Sequence, residues 1–188
     1  MSTISTYRFT VDEYDRMIES GVFEERNGVR VELLYGEIVE MNPPNPPHDY
    51  VIDLLNYWSI DVTSRDEIWV RIQNSLGIPA LDSVPEPAVA WMKARDYRQR
   101  RPEPEDVLLL IEVAESSLGK DRHLKGKLYA ESGIQDYWIV DLNSGRIEVY
   151  RRPDAGLFLS HETYGRGETV SPLILPDVKL DVAGIVGE

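Results

Sequence analysis

The segment that most constrains the fold is VLLLIEV at residues 107–113, which is apolar on both faces except at Glu112. A strand with one wet face would alternate apolar and polar residues, so this pattern predicts a central strand covered on both sides. The serines that follow can cap a helix running to about Ser132, and DYWIVD at residues 136–141 predicts another strand. Strand, helix and strand in this order predict a right-handed parallel crossover.

Shorter elements precede and follow this crossover. Thr10 and Glu13 have the spacing of a capping box, which predicts an N-terminal helix. The pattern around Gly36 predicts a hairpin, whereas the proline-rich residues 42–47 are expected to be neither helix nor central strand. Further predicted elements are a helix at about 51–62 and strands at 28–34, 37–41, 67–73, 146–150 and, as an edge strand, 178–182.

Together these elements predict one α/β (α+β) domain over residues 1–188. A mixed sheet would be flanked by helices, with an N-terminal helix and hairpin and extra C-terminal strands.

Composition narrows the function classes. The 188 residues carry 20 Lys and Arg against 33 Asp and Glu, and this formal net charge of −13 argues against a polycation that coats nucleic acid or membranes. The chain has no cysteine, so it has neither disulfides nor thiolate metal ligands. We see no signal peptide and no apolar run long enough to cross a membrane, and therefore expect a cytoplasmic protein without a membrane partner.

Glu112 is the first candidate for a functional-site residue. The sequence contains no phosphate-binding loop, nucleophile elbow or metal-binding histidine spacing, which leaves carboxylates and lysines. Glu112 lies near the carboxyl end of the apolar strand, where ligands bind in open α/β sheets. It is either a strand-end residue that reaches water or the partner of a cation.

The second candidate is the series Asp121, Lys125 and Tyr129, whose i, i+4, i+8 spacing places them on one helix face. One interpretation is a solvated ion pair between Asp121 and Lys125, an ordinary surface feature. The other is that the crossover folds this face over the strand of Glu112 and directs Lys125 into the same pocket.

Several short motifs also occur in a recognisable order. They are VELLYGEI at 31–38, Pro43 and Pro44 with His48, PEP at 85–87, IEVAESS at 111–117, the Asp121, Lys125 and Tyr129 series, and GIQDYWIVD at 133–141. With these motifs the chain resembles the bacterial "putative restriction endonuclease" family of the PD-(D/E)XK nuclease superfamily, from about residue 10 to the C-terminus. The resemblance implies a restriction-endonuclease-like fold and a Mg²⁺-dependent site that hydrolyses phosphodiester bonds of DNA.

The resemblance also implies the site residues. Two glutamates and an aspartate that follows a proline surround the metal in this family, and a lysine assists. Glu32 and Glu112 match the glutamates, and Lys125 matches the lysine, here on the helix after the strand. Hard oxygen ligands suit Mg²⁺, and a lysine can offset charge that develops at the phosphate. The matched positions expected to line the same cleft are His48, Gln73, Asp121 and Tyr129.

The sequence departs from the family pattern at one metal ligand. The expected aspartate is Ala88, whose methyl group cannot bind a cation. Glu86, two residues earlier on the expected strand, is either a substitute ligand beside Glu112 or a solvated residue. We therefore expect Mg²⁺, or Mn²⁺ in its place, to be bound weakly if at all.

Two basic stretches flank the strand of Glu112 in the sequence. Residues 92–101 contain five basic residues and one acidic, a net of +4, and residues 120–127 contain four and one, a net of +3. They are either solvated surface stretches or two basic surfaces that border the cleft and bind phosphates. The expected nucleic-acid contacts are Arg98, Arg100, Arg101 and Lys127.

The leading hypothesis from the sequence is a Mg²⁺-dependent DNA endonuclease, either active or weakened or inactivated by Ala88. The alternative is a catalytically inactive module with the nuclease fold that binds nucleic acid or protein. DNA is the expected partner, and homodimer formation stays open.

Overall fold

Residues 6–24, 29–43 and 45–187 are described by a computed structural model. Gly28 and Pro44, which fall in the predicted hairpin and proline-rich segments, lie outside these ranges. Within them, no helix is both long and apolar enough to span a membrane.

The N-terminal helix and hairpin form as predicted. Helix α1 (Val11–Glu19) begins at the Thr10 capping box, and strands β1 (Val31–Leu34) and β2 (Glu37–Glu40) pair antiparallel. Gly36 supplies the positive φ of the turn, 75°. The hairpin therefore presents alternate residues of β1 to opposite sides.

Helix α2 (Pro46–Val62) corrects the expectation that the proline-rich segment contains no helix. Pro46 and Pro47 occupy the first helical positions, where a backbone N–H has no acceptor within the helix, so proline is tolerated there. The side chain of Asn45 caps the helix by accepting a hydrogen bond from the backbone N–H of His48 at 3.1 Å. His48 is thus a residue of the first helical turn.

A six-stranded mixed sheet forms the centre of the fold. In both chain and spatial order its strands are β3 (Ile68–Ile72), β4 (Val89–Lys93), β5 (Val107–Ala114), β6 (Asp136–Asp141), β7 (Arg146–Asp154) and β8 (Leu157–Tyr164). Strands β5 and β6 are parallel, as the crossover predicts, and the other neighbours are antiparallel. Helices α3 (Leu118–Lys120) and α4 (Gly126–Glu131) connect β5 to β6, and short 3₁₀ turns lie at Pro79–Leu81 and Pro104–Asp106.

Both faces of the sheet are covered, as the apolar character of β5 predicts. On one face, Trp58 of α2 stacks with Trp91 and Trp138 at ring-centroid distances of 5.1 and 6.2 Å. Tyr129 of α4 packs on the other face, toward which Glu112 points. The predicted mixed sheet flanked by helices is therefore confirmed.

The C-terminal tail differs from the predicted edge strand at 178–182. Strands β9 (Thr169–Val170) and β10 (Leu180–Asp181) form a separate two-stranded sheet, and helix α5 (Val182–Val186) follows directly. Asp181 caps this helix by accepting a hydrogen bond from the Ala183 N–H at 3.2 Å. This cap ends the strand where the prediction continued it.

Candidate active site

The crossover between β5 and β6 is not a regular helix. A π-helical turn, Asp121–Lys125, lies between α3 and α4. Ser117 precedes α3 but does not cap it, because its hydroxyl donates to the carboxylate of Asp121 at 2.6 Å. Such π turns recur at functional sites, and this one contains two of the predicted site residues.

Lys125 lies between two glutamates. Its Nζ is 2.6 Å from Glu32 Oε1 and 2.9 Å from Glu112 Oε1. The hydroxyl of Tyr129 donates to the same Oε1 of Glu112 at 2.9 Å. All four side chains are buried, so the crossover does fold over the strand of Glu112 and direct Lys125 toward it.

Glu32 is further held by its neighbours. Its Oε1 accepts a hydrogen bond from the backbone N–H of Glu86 at 2.8 Å, and its Oε2 lies 3.4 Å from Lys120 Nζ. These contacts join the N-terminal hairpin to the loop before β4 and to the crossover. Glu32 thus connects three segments of the chain.

Burial and charge act in opposite directions on this cluster. Burial raises the pKa of Glu112 from its ordinary 4.5 to about 7, against the pull of Lys125, and the carboxylates of Asp121 and Glu32 add to the rise. Burial also opposes the charge of Lys125, but Glu112 and Glu32 outweigh it and raise the pKa of this ammonium above its ordinary 10.5. Glu32 is buried too, yet the Lys125 charge holds its pKa below 4.5. Near neutral pH, Glu112 is therefore a member of the cluster whose charge can change.

Glu112 and Lys125 line a cavity of about 120 Å³. Of the other predicted cleft residues, His48, Gln73 and Asp121 line it. Tyr129 does not line it, but its hydroxyl donates a hydrogen bond to Glu112, which does. The remaining residues of its wall come from the hairpin side, the start of α2, the segment before β4, the end of β5 and the start of the crossover: Arg30, Met41, Asn42, Pro43, Asn45, Glu86, Ala88, Val113, Glu115, Ser116, Ser117 and Lys120. Residues predicted from distant parts of the sequence therefore share one cavity.

The residues around the cavity do not fit a Mg²⁺ ion in this arrangement. Strand β4 begins at Val89, so Glu86 and Ala88 precede the strand on which we expected them. Oε2 of Glu86 accepts from Arg30 at 2.7 Å, and Oε1 of Glu112 is taken by Lys125. In the part of the chain that the structure describes, no three His, Cys, Asp or Glu side chains are grouped to hold a metal ion.

The predicted nucleic-acid contacts do not line this cavity. Their side chains instead form ion pairs: Arg98 with Asp96, Arg100 with Asp106, Arg101 with Asp15, and Lys127 with Glu131. The exposed fractions of the Arg98 and Lys127 side chains are 85% and 59%, so these two keep their charges at the surface. The structure therefore does not bring the four cations together with Glu112.

Sequence reasoning missed Arg30 and gave Lys120 no role of its own. Arg30 precedes β1 and lies two residues before Glu32, which puts both side chains on one side of the hairpin strand. This i, i+2 spacing was the sequence signal that could have identified Arg30 as a neighbour of Glu32. The contact between Arg30 and Glu86 could not be predicted from the sequence, because the two residues are 56 positions apart in the chain.

Known proteins resemble this chain in sequence and in fold. The Uma2 family model, described as "Putative restriction endonuclease", matches residues 11–183. A similar solved structure is the crystal structure of "a putative nuclease belonging to DUF820" from Anabaena variabilis ATCC 29413, with a TM-score of 0.69 and 14% sequence identity over 95% of this chain and 97% of that chain. At this identity the likeness shows the fold. No curated protein matches the chain.

Proposed function

This chain belongs to the Uma2 family, and we propose that it is an endonuclease-type domain directed at the phosphodiester bonds of DNA, with metal-dependent cleavage impaired by Ala88. The observation that carries the proposal is the buried position of Lys125 between Glu32 and Glu112, at the wall of a cavity. A buried cation between two carboxylates is costly to assemble, and strongly perturbed groups of this kind cluster at functional sites.

Glu112 is proposed as the proton acceptor of the site. Its Oε1 is held by Lys125 and Tyr129, while Oε2 accepts no hydrogen bond from a described residue. A carboxyl with a pKa of about 7 can take a proton from water near neutral pH. Lys125 keeps its charge and favours the ionised form that accepts the proton.

The metal-binding half of the site is proposed to be incomplete. The family implies Mg²⁺ or Mn²⁺, which would polarise a phosphate oxygen and activate water when bound. Ala88 lines the cavity with a methyl group, and Glu86 pairs with Arg30. We therefore expect cleavage by this chain to be slow, and we expect an aspartate at position 88 to accelerate it.

Nicking of supercoiled plasmid in Mg²⁺ or Mn²⁺ tests the role of the site. We expect slow, metal-dependent nicking by the wild-type chain and none by Glu112→Gln, whose side chain has nearly the same shape but cannot accept the proton. Equal nicking by the two proteins would show that the activity does not come from this cavity, and would contradict the proposal.

A second candidate function is a binding module that has kept the fold and lost the reaction. The ion pair between Arg30 and Glu86 favours it, because it occupies a carboxylate that a metal ion would need. Binding of a labelled DNA duplex in EDTA, together with plasmid nicking by Ala88→Asp, separates the two. DNA binding without any nicking by Ala88→Asp would favour the module.

A further inference from the structure

Arg30 presents an oriented guanidinium to the cavity. Its Nη2 lies 2.7 Å from Glu86 Oε2 and its Nη1 donates to Gln73 Oε1 at 3.3 Å. A guanidinium has five N–H donors in a fixed fork, so donors remain beyond these two contacts. With 40% of its side chain exposed, Arg30 is held in place and is still open to a ligand.

The position of this charge is what distinguishes it from a surface arginine. Glu86 lies two residues from Ala88, both line the same cavity as Glu112, and the backbone N–H of Glu86 is bound by Glu32. With alanine at position 88, a metal ion here would depend on the oxygens of Glu86 and Glu112. Arg30 neutralises the first, and Lys125 the second.

We propose that Arg30 takes the electrostatic place of the divalent cation in this cavity. Its guanidinium neutralises Glu86, keeps metal ions from that carboxylate, and offers its remaining N–H groups to a DNA phosphate. The inference rests on the proposed function in one respect, namely that this cavity is where a nuclease of the family would hold its ion. It adds that phosphate binding by this chain does not require a metal.

Mn²⁺ binding to the free protein tests the inference, by electron paramagnetic resonance or titration calorimetry. Ala88→Asp supplies the missing carboxylate, and adding Arg30→Gln releases Glu86. We expect the double variant to bind Mn²⁺ at least about tenfold more tightly than Ala88→Asp alone, the scale on which groups beside a metal site change affinity. Equal affinities would overturn the inference.

Two further variants in the Ala88→Asp background separate charge from shape and position. Arg30→Lys keeps a cation beside Glu86, so we expect its Mn²⁺ affinity to stay within about threefold of Ala88→Asp. Arg8→Gln is the matched control, because Arg8 pairs with Glu37 at 2.8 Å outside this cavity. An increase in affinity with Arg30→Lys or Arg8→Gln as large as with Arg30→Gln would also overturn the inference.

Failure of the proposed function gives a different pattern. Mn²⁺ binding is measured without DNA, so a chain that neither binds nor cuts DNA can still show the Arg30 effect. Circular dichroism spectra confirm that each variant is folded before it is compared. A folded double variant that gains no Mn²⁺ affinity would contradict the inference about Arg30 and leave the proposed function untouched.

Discussion

Lys125 Nζ lies 2.6 Å from Glu32 Oε1, although 93 residues separate the two in the sequence. The contact joins the N-terminal hairpin to the π-helical turn of the crossover. Because Lys125 also binds Glu112 on β5, one ammonium pairs with carboxyl groups from two different parts of the fold. The candidate site therefore forms only when hairpin, sheet and crossover have all assembled.

Removal of the Lys125 charge should destabilise the fold strongly. Lys125→Met leaves the carboxylates of Glu32 and Glu112 buried without their common cation, and such a loss costs about 3–5 kcal/mol. Urea unfolding measures the change. Lys127→Met is the control, because Lys127 is exposed and its pair with Glu131 contributes no more than about 1 kcal/mol. Similar losses for both variants would contradict the structural role of Lys125.

Glu112 should titrate near neutral pH. Its pKa is raised from 4.5 to about 7, so between these values the folded chain holds a proton that the unfolded chain has released. Its contribution to the free energy of unfolding therefore falls as the pH rises through this window. Infrared difference spectra should show a protonated carboxyl band in wild type that disappears near pH 7 and is absent in Glu112→Gln. Loss of this band by pH 5 would contradict the prediction.

The hairpin that carries Glu32 should depend on Gly36. Gly36→Ala puts a Cβ 2.7 Å from Arg8 Cβ in addition to the strain of a positive φ. Gly133→Ala adds the same kind of strain, at φ 82°, but its Cβ meets no atom within 4 Å. We expect about 1–2 kcal/mol of destabilisation for Gly133→Ala and at least about 1 kcal/mol more for Gly36→Ala. Thermal unfolding compares them, and equal losses would show that the close packing of Arg8 has no cost.

The exposed predicted DNA contacts should set the salt dependence of DNA binding. Arg98 and Lys127 are mostly exposed, so each can neutralise one phosphate. Substitution of either by Gln should make the slope of log affinity against log salt shallower by about 0.9. Fluorescence anisotropy over a salt series measures the slope. An unchanged slope in both variants would show that Arg98 and Lys127 do not contact DNA phosphates.

The sheet and its crossover were predictable because their signals are local. The apolar residues of β5 predict a covered central strand, and the spacing of Asp121, Lys125 and Tyr129 predicts a common face. The predicted start of α2, at about residue 51, was wrong. Prolines break helix interiors but are tolerated in the first turn, where Pro46 and Pro47 lie.

The rest of the site depends on contacts between distant residues. Pairing of Arg30 with Glu86 and of Arg101 with Asp15 decides which cations face the cavity, and no local pattern reports such pairs. The basic stretch 92–101 shows the consequence. Its net charge predicts a phosphate-binding surface, but several of its arginines form ion pairs with carboxylates of the same chain. Charge counts along a sequence do not record how charges are paired in the fold.

Plasmid cleavage by Ala88→Asp in Mg²⁺ is the most direct test of the central claim, that this is a nuclease site impaired at one position. We predict that Ala88→Asp nicks supercoiled plasmid at least about tenfold faster than wild type, and that Ala88→Asp with Glu112→Gln loses the gain. The claim is contradicted if Ala88→Asp, shown to be folded, cuts no faster than wild type, or if the added Glu112→Gln change leaves its rate unaltered.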